Sequence, residues 1–181
     1  MTSAIARPPL RNGREPDRWI ETRTPIGDAI YVAFSNRGIS FVSPGADDAD
    51  FVMRHFERTG RMATPAIADD HVEIVRTVRG GKADATICDF EELTPFTRRV
   101  LETTLEIPQG ETRSYEWLAR SIGMPQAARA VSNVLASNPV PLVVPCHRVL
   151  GGDGSLGDYA LGQTVKRQLL AAEGLPIPAA A

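Results

Sequence analysis

A chain of 181 residues with 43% hydrophobic and 23% charged residues can bury a real core, as one domain or two small ones. The net charge of −2 excludes binding to a polyanion through overall positive charge. The distribution is uneven, however: residues 1–92 hold 12 Lys/Arg against 15 Asp/Glu, and residues 93–181 hold 8 against 7. The slightly basic C-terminal half is weak support for a polyanionic partner. No run is long and apolar enough to span a bilayer, and residues 1–18, rich in Arg and Pro, lack the apolar centre of a secretion signal. The expectation is a cytoplasmic protein without membrane contact. Two cysteines, Cys88 and Cys146, point to a reducing compartment and not to a disulfide framework. Together with His55, His71 and His147 they show no C-x-x-C or H-x-x-x-H spacing, so neither a zinc site nor another cofactor is expected.

Residues 1–18 read as a flexible tail. Residues 19–90 read as a small α/β domain. Within it, residues 30–34 and 39–42 form a hairpin across the turn Ser35-Asn36-Arg37-Gly38. Residues 47–58 and 67–79 have helical spacing, the second ending at Gly80-Gly81. Residues 85–89 read as a strand in which Cys88 packs, while His55 and His71 read as surface or boundary residues without partners.

The character changes near Glu91, and residues 91–175 read as a second domain. Thr94-Pro95 is a capping residue followed by proline at the first helical position, and the helix runs to the break at Pro108-Gln109-Gly110. Residues 114–122 and 127–136 form two short helices joined at Gly123-Met124-Pro125. That is either a helix-turn-helix for DNA or a plain helical hairpin in a core. The second helix carries small residues and one strong charge, Arg129, which suits close approach to a groove. Asn138-Pro139 ends it and leads into the apolar run 140–144, predicted as a buried strand that delivers Pro145-Cys146-His147-Arg148. A thiol next to an imidazole and a guanidinium is placed to be reactive, because basic neighbours favour the thiolate; a buried structural cysteine is the competing reading. The glycine-rich segment 151–157 lacks a phosphate-loop signature and reads as a mobile pocket wall. Residues 163–173 close the domain as a helix with Gly174 as its C-cap, and residues 176–181 read as a disordered tail.

Over residues 94–174 the chain closely resembles the O6-alkylguanine-DNA alkyltransferases, also called methylated-DNA–protein-cysteine methyltransferases. The resemblance is carried by Pro-Cys-His-Arg after an apolar run, Asn138-Pro139 before it, and Arg129-Ala130-Val131 on the second helix. Gly110-Glu111-Thr112 with Ser114-Tyr115, Tyr159 and Glu173 complete the match. It implies an α+β fold, a small sheet-with-helices domain followed by a helix-turn-helix alkyltransferase domain. It also implies a reaction in which Cys146 takes the alkyl group from guanine O6 in one irreversible displacement, once per molecule. His147 would be the base, through a bridging water; Glu173 would orient the imidazole, and Asn138 would brace the turn. Arg129 would fill the gap left by a flipped base in the minor groove, with Tyr115 crowding a phosphate and Ala128, Ala130 and Ser132 facing the DNA. Tyr159, Val149, Ala160, Pro141 and Leu135 would form the guanine pocket. The partner implied is double-stranded DNA carrying O6-alkylguanine, with O4-alkylthymine as a second candidate lesion, met by a monomer. Two positions depart from the family pattern. Ala160 stands where a small hydroxyl residue is common, and Asp158 where Asn or a small residue is commoner, which bears on lesion range and rate. The competing readings are a non-enzymatic sensor of alkylated DNA, a helix-turn-helix regulator and a cysteine hydrolase. Retention of Cys146, the lack of clustered N-terminal cysteines and the presence of Arg129 argue against them in turn.

Overall fold

The computed structural model describes residues 15–67, 71–80, 83 and 85–176. Strands β1 (Asp17–Arg23), β2 (Ala29–Ser35) and β3 (Gly38–Ser43) are followed by helix α1 (Asp48–Thr59), strand β4 (Ala63–Pro65) and helix α2 (Val72–Val78). The sheet order is β3-β2-β1-β4, antiparallel except for the parallel β1–β4 pair. The β2–β3 turn is the expected one, and Gly38 is required there. Its φ is +127°, and a Cβ would sit 2.5 Å from the carbonyl oxygen of Ile87.

Several expectations for this half are corrected. Strand β1 begins inside the stretch expected to be tail, with Asp17 paired to Ala63 and Arg18 to Phe34; residues 1–14 of that tail and 177–181 of the C-terminal one lie outside the described residues. The helix expected over 67–79 spans only Val72–Val78, and Ile67 before it is exposed. Residues 68–70 and Gly81 lie outside the described residues. The strand expected over 85–89 is a single 3-10 turn, Ala85–Ile87, followed by one bridge from Cys88 to Ile39. His55 is not a surface residue: it is fully buried on α1, with Nε2 3.0 Å from Asp17 Oδ2.

The second half is helical. Helix α3 (Pro95–Leu105) starts at Thr94, whose side chain accepts from the Thr97 N–H. Strand β5 (Arg113–Ser114) leads into α4 (Tyr115–Ser121), then α5 (Ala128–Ala136), β6 (Val149–Leu150) and α6 (Gln163–Ala172), with β5 and β6 parallel. Helices α3, α4 and α5 pack on one another through Val100, Leu101, Leu118, Ile122, Val131 and Leu135, all buried. One buried cluster joins this bundle to Ile30, Val32, Phe34 and Ile39 of the sheet. A second, smaller cluster (Trp19, Tyr31, Phe41, Phe51) lies under α1. No helix among the described residues is long and apolar enough to cross a membrane.

Candidate active site

The run 140–144 is buried as expected but is not a strand. It folds into a tight turn in which the Val144 N–H donates to the Val140 carbonyl at 3.0 Å, and Leu142 takes a positive φ of 73°. That conformation costs a non-glycine residue on the order of 1 kcal/mol. Cys146, His147 and Arg148 then form one 3-10 turn, so the thiol sits in a compact corner and not at the end of an extended element. Apolar content alone cannot separate these cases, because a buried turn and a buried strand are equally hydrophobic.

Asn138 is the side chain that meets the sulfur. It is buried, its Nδ2 donates to Cys146 Sγ at 3.1 Å, and its Oδ1 accepts from the Val140 N–H at 3.0 Å. Cys146 is 2% exposed. Burial pushes its pKa up to about 11, a rise that the Asn138 hydrogen bond and the nearby Lys166 charge only partly offset. The sequence expectation of a thiol ionised by its basic neighbours is therefore corrected: at rest it is protonated. Desolvation is the largest effect on the thiol, and the Asn138 hydrogen bond and the Lys166 charge lower its pKa by less.

His147 is 3% exposed, and burial lowers its pKa against the raising effect of Glu173. Its Nε2 lies 2.9 Å from Glu173 Oε1, which assigns the proton to Nε2 and leaves Nδ1, buried and without a partner, as the basic nitrogen. Glu173 is the C-cap of α6. Burial raises its pKa, but hydrogen bonds from His147 and Arg148 win and hold it at about 2. Arg148 clamps that carboxylate with Nε and Nη2 (2.7–3.1 Å) and donates Nη1 to the Ile107 carbonyl at 2.8 Å. Among the described residues no hydrogen bond joins Cys146 directly to His147. A cleft of about 720 Å³, lined by Leu105, Ile107, Pro145, His147, Arg148 and Glu173 among others, borders the imidazole–carboxylate pair.

Sequence reasoning missed Lys166. It is fully buried, donates Nζ to the carbonyls of Val149 (2.7 Å) and Leu156, and ties the glycine-rich segment to β6. Burial lowers its pKa to about 8, while the Asp158 carboxylate and, once ionised, Cys146 oppose that shift. The signal was present: Lys166 lies three and four residues before Leu169 and Leu170, on the buried face of α6.

The remaining candidates divide between buried and exposed positions. Leu135, Pro141, Val149 and Tyr159 are buried and Ala160 half-buried. Tyr159 meets the His147 ring edge-on at 6.2 Å, and its hydroxyl has no completed hydrogen bond. On α5, Arg129 and Ala130 are exposed and Ala128 and Ser132 half-buried. Tyr115, at the start of α4, is buried, with its hydroxyl toward Ser132 and closely packed on Gly157. A Cβ on Gly157 would lie 2.4 Å from that hydroxyl. Asp158, next to it, is exposed, and its charge is felt by both Tyr115 and Lys166.

Residues 95–175 match the sequence model described as 6-O-methylguanine DNA methyltransferase, DNA binding domain. The crystal structure of Mycobacterium tuberculosis OGT in complex with DNA aligns over 87% of this chain and 93% of its own, with 30% identity and a TM-score of 0.65. This chain belongs to the O6-methylguanine-DNA methyltransferase family. The corresponding protein of Pyrococcus kodakaraensis KOD1 covers 88% of this chain and 99% of its own at 26% identity, TM-score 0.66. The methylated-DNA–protein-cysteine methyltransferase of Rattus norvegicus is 53% identical over 83 residues, which are 45% of this chain and 40% of the rat protein. The Escherichia coli bifunctional transcriptional activator/DNA repair enzyme Ada is 36% identical over 146 residues, 78% of this chain and 41% of Ada. The chain thus spans about two fifths of these two curated relatives and nearly the whole of the two solved family members.

Proposed function

We propose that this protein reverses alkylation of guanine in duplex DNA by moving the alkyl group from O6 to its own Cys146. The observation that carries the reading is the Asn138 amide on the Cys146 sulfur, one residue before a buried imidazole already paired with a carboxylate. A thiol of pKa about 11 is a poor nucleophile until its proton is removed. His147 Nδ1 is the group to take it, through one water, and Glu173 stabilises the imidazolium that results. The sulfur then attacks the carbon on O6: the S–C bond forms, the C–O6 bond breaks, and guanine leaves with the electron pair on O6. Burial keeps the Tyr159 phenol pKa well above its ordinary range, so Tyr159 remains a proton donor at the pocket wall and is suited to stabilise the leaving base. Lys166 adds a positive charge near the developing thiolate.

A stacked base cannot reach a sulfur that is 2% exposed, so the target nucleotide is extruded, at a cost of a few kcal/mol. Arg129, exposed on α5 among small residues, is the side chain assigned to fill the gap from the minor groove. A thioether has no hydrolytic exit, and each molecule acts once. Intact-protein and peptide mass spectrometry after mixing with an O6-methylguanine duplex tests the reading. One methylene gained on the Cys146 peptide, at most one per chain, and none in Cys146→Ala, is expected. Catalytic turnover on excess duplex, or a lesion left unchanged by reduced protein, overturns it.

A further inference from the structure

The two residues flanking Asn138 are both held from the N-terminal half. Val42 of β3 donates its backbone N–H to the Pro139 carbonyl at 2.8 Å. Arg58, in the last turn of α1, donates Nη2 to the carbonyl of Ser137. Ser137 is the C-cap of α5, so its carbonyl belongs to the set a helix leaves without intrahelical donors, at the negative end of the helix dipole. A guanidinium from another helix satisfies that carbonyl and offsets the local charge. Between the two anchors lies Asn138, whose amide spans from the Val140 N–H to the Cys146 sulfur. A donor on the sulfur favours its ionised form. This donor lies just past the end of α5, where the Asn138 N–H on the Leu135 carbonyl at 3.3 Å holds it from the helix side and Arg58 and Val42 hold its neighbours from the other.

We infer that Arg58 is a positioning residue for Cys146: by pinning Ser137 it holds the Asn138 amide on the sulfur and couples the N-terminal half to the reactivity of the thiol. The inference deepens the alkyl-transfer reading and rests on it for its biological meaning, but the coupling is measurable without DNA. Iodoacetamide is the probe, its carbon bonding to sulfur as iodide leaves. Cys88, buried in the N-terminal half, serves as internal control for global opening, with the two peptides resolved by mass spectrometry.

Arg58→Ala is expected to slow labelling of Cys146 about three- to tenfold near neutral to mildly alkaline pH, without changing Cys88. Arg58→Lys, which keeps a charged donor, recovers part of the rate. In an Asn138→Ala background, removing Arg58 has no further effect. Labelling of Cys146 that is unchanged or faster in Arg58→Ala overturns the inference, as does a parallel change at Cys88 or an equal loss without Asn138. Should Arg58→Ala fail to fold, Arg58→Gln applies the same criteria. If the protein takes no alkyl group from DNA yet shows this coupling, the clamp stands and the alkyl-transfer reading falls.

Discussion

The two halves of the molecule each bury a histidine against a carboxylate at nearly the same distance. His55 Nε2 lies 3.0 Å from Asp17 and His147 Nε2 lies 2.9 Å from Glu173. What surrounds them differs. The Asp17 Oδ2 that meets His55 also accepts from Ser40 Oγ at 2.5 Å and lies 3.4 Å from Arg61, while the imidazole packs against the Phe41 and Phe51 rings. Arg61 carries the network on to Asp89 and Arg37. Neither His55 nor Asp17 lines the cleft of about 200 Å³ at Arg37, Cys88 and Asp89, and the pair knits β1, β3 and α1 together. His147 stands one residue from a thiol, borders the larger cleft and presents an unpartnered Nδ1. An imidazole–carboxylate pair is therefore not a reaction centre in itself. A nucleophile within reach and an approach for solvent or ligand make it one.

The largest expected effect separates the two pairs directly. His147→Ala should slow alkyl transfer from free O6-benzylguanine about a hundredfold, the usual worth of a general base. His55→Ala should leave the rate per folded molecule unchanged and cost on the order of 3 kcal/mol of stability, because Asp17 is left buried without that partner. Transfer kinetics alongside chemical denaturation read both, and equal slowing in the two variants would erase the distinction. Next in size, Arg129→Ala should lower transfer from a lesioned duplex about tenfold while changing the free-base reaction less than about twofold, because only the duplex requires base extrusion. Matched losses on both substrates would remove Arg129 from that role.

A third test addresses what the halves share. Asp89 and Glu173 each have a pKa of about 2, below the ordinary carboxyl values of 3.8 and 4.5. In both, burial pushes the value up and arginine partners, with His147 for Glu173, pull it down further. A carboxyl depressed in the folded state binds its proton first in the unfolded chain. Each therefore contributes stability, on the order of 2 kcal/mol, that is complete above its ordinary pKa and lost as pH falls toward 2. Denaturation between about pH 5 and 2.5 should show this loss. Asp89→Asn and Glu173→Gln should each flatten the slope, and an unchanged slope in either would disconnect that carboxylate from the acid response.

Helices α3 and α5 were legible in the sequence because their signals are local. Thr94 caps α3 and proline follows it, and Ala130, Val131, Val134 and Leu135 mark α5 by spacing alone. The turn expected at Ser35-Asn36-Arg37-Gly38 is present, and the structure adds a steric reason for Gly38. The misreadings share one cause, a tertiary environment that a single sequence does not print. An apolar run became a turn with Leu142 left-handed, Arg18 and Asp17 joined a sheet through partners 16 and 46 residues away, and the Cys146 pKa followed burial and not its neighbours. His55 and Lys166 lay nearer to the legible edge. His55 is four residues after the buried Phe51, and Lys166 shares a face with Leu169; in both cases a polar letter hid a buried position.

The protonated state of Cys146 has a consequence for the life of the molecule before it meets its target. Oxidation to sulfenic acid and capture by stray electrophiles both proceed through the thiolate and require access. A sulfur kept neutral and enclosed resists both, so on the proposed chemistry a protein that carries a single equivalent of reagent keeps it unspent until a guanine is delivered to the pocket.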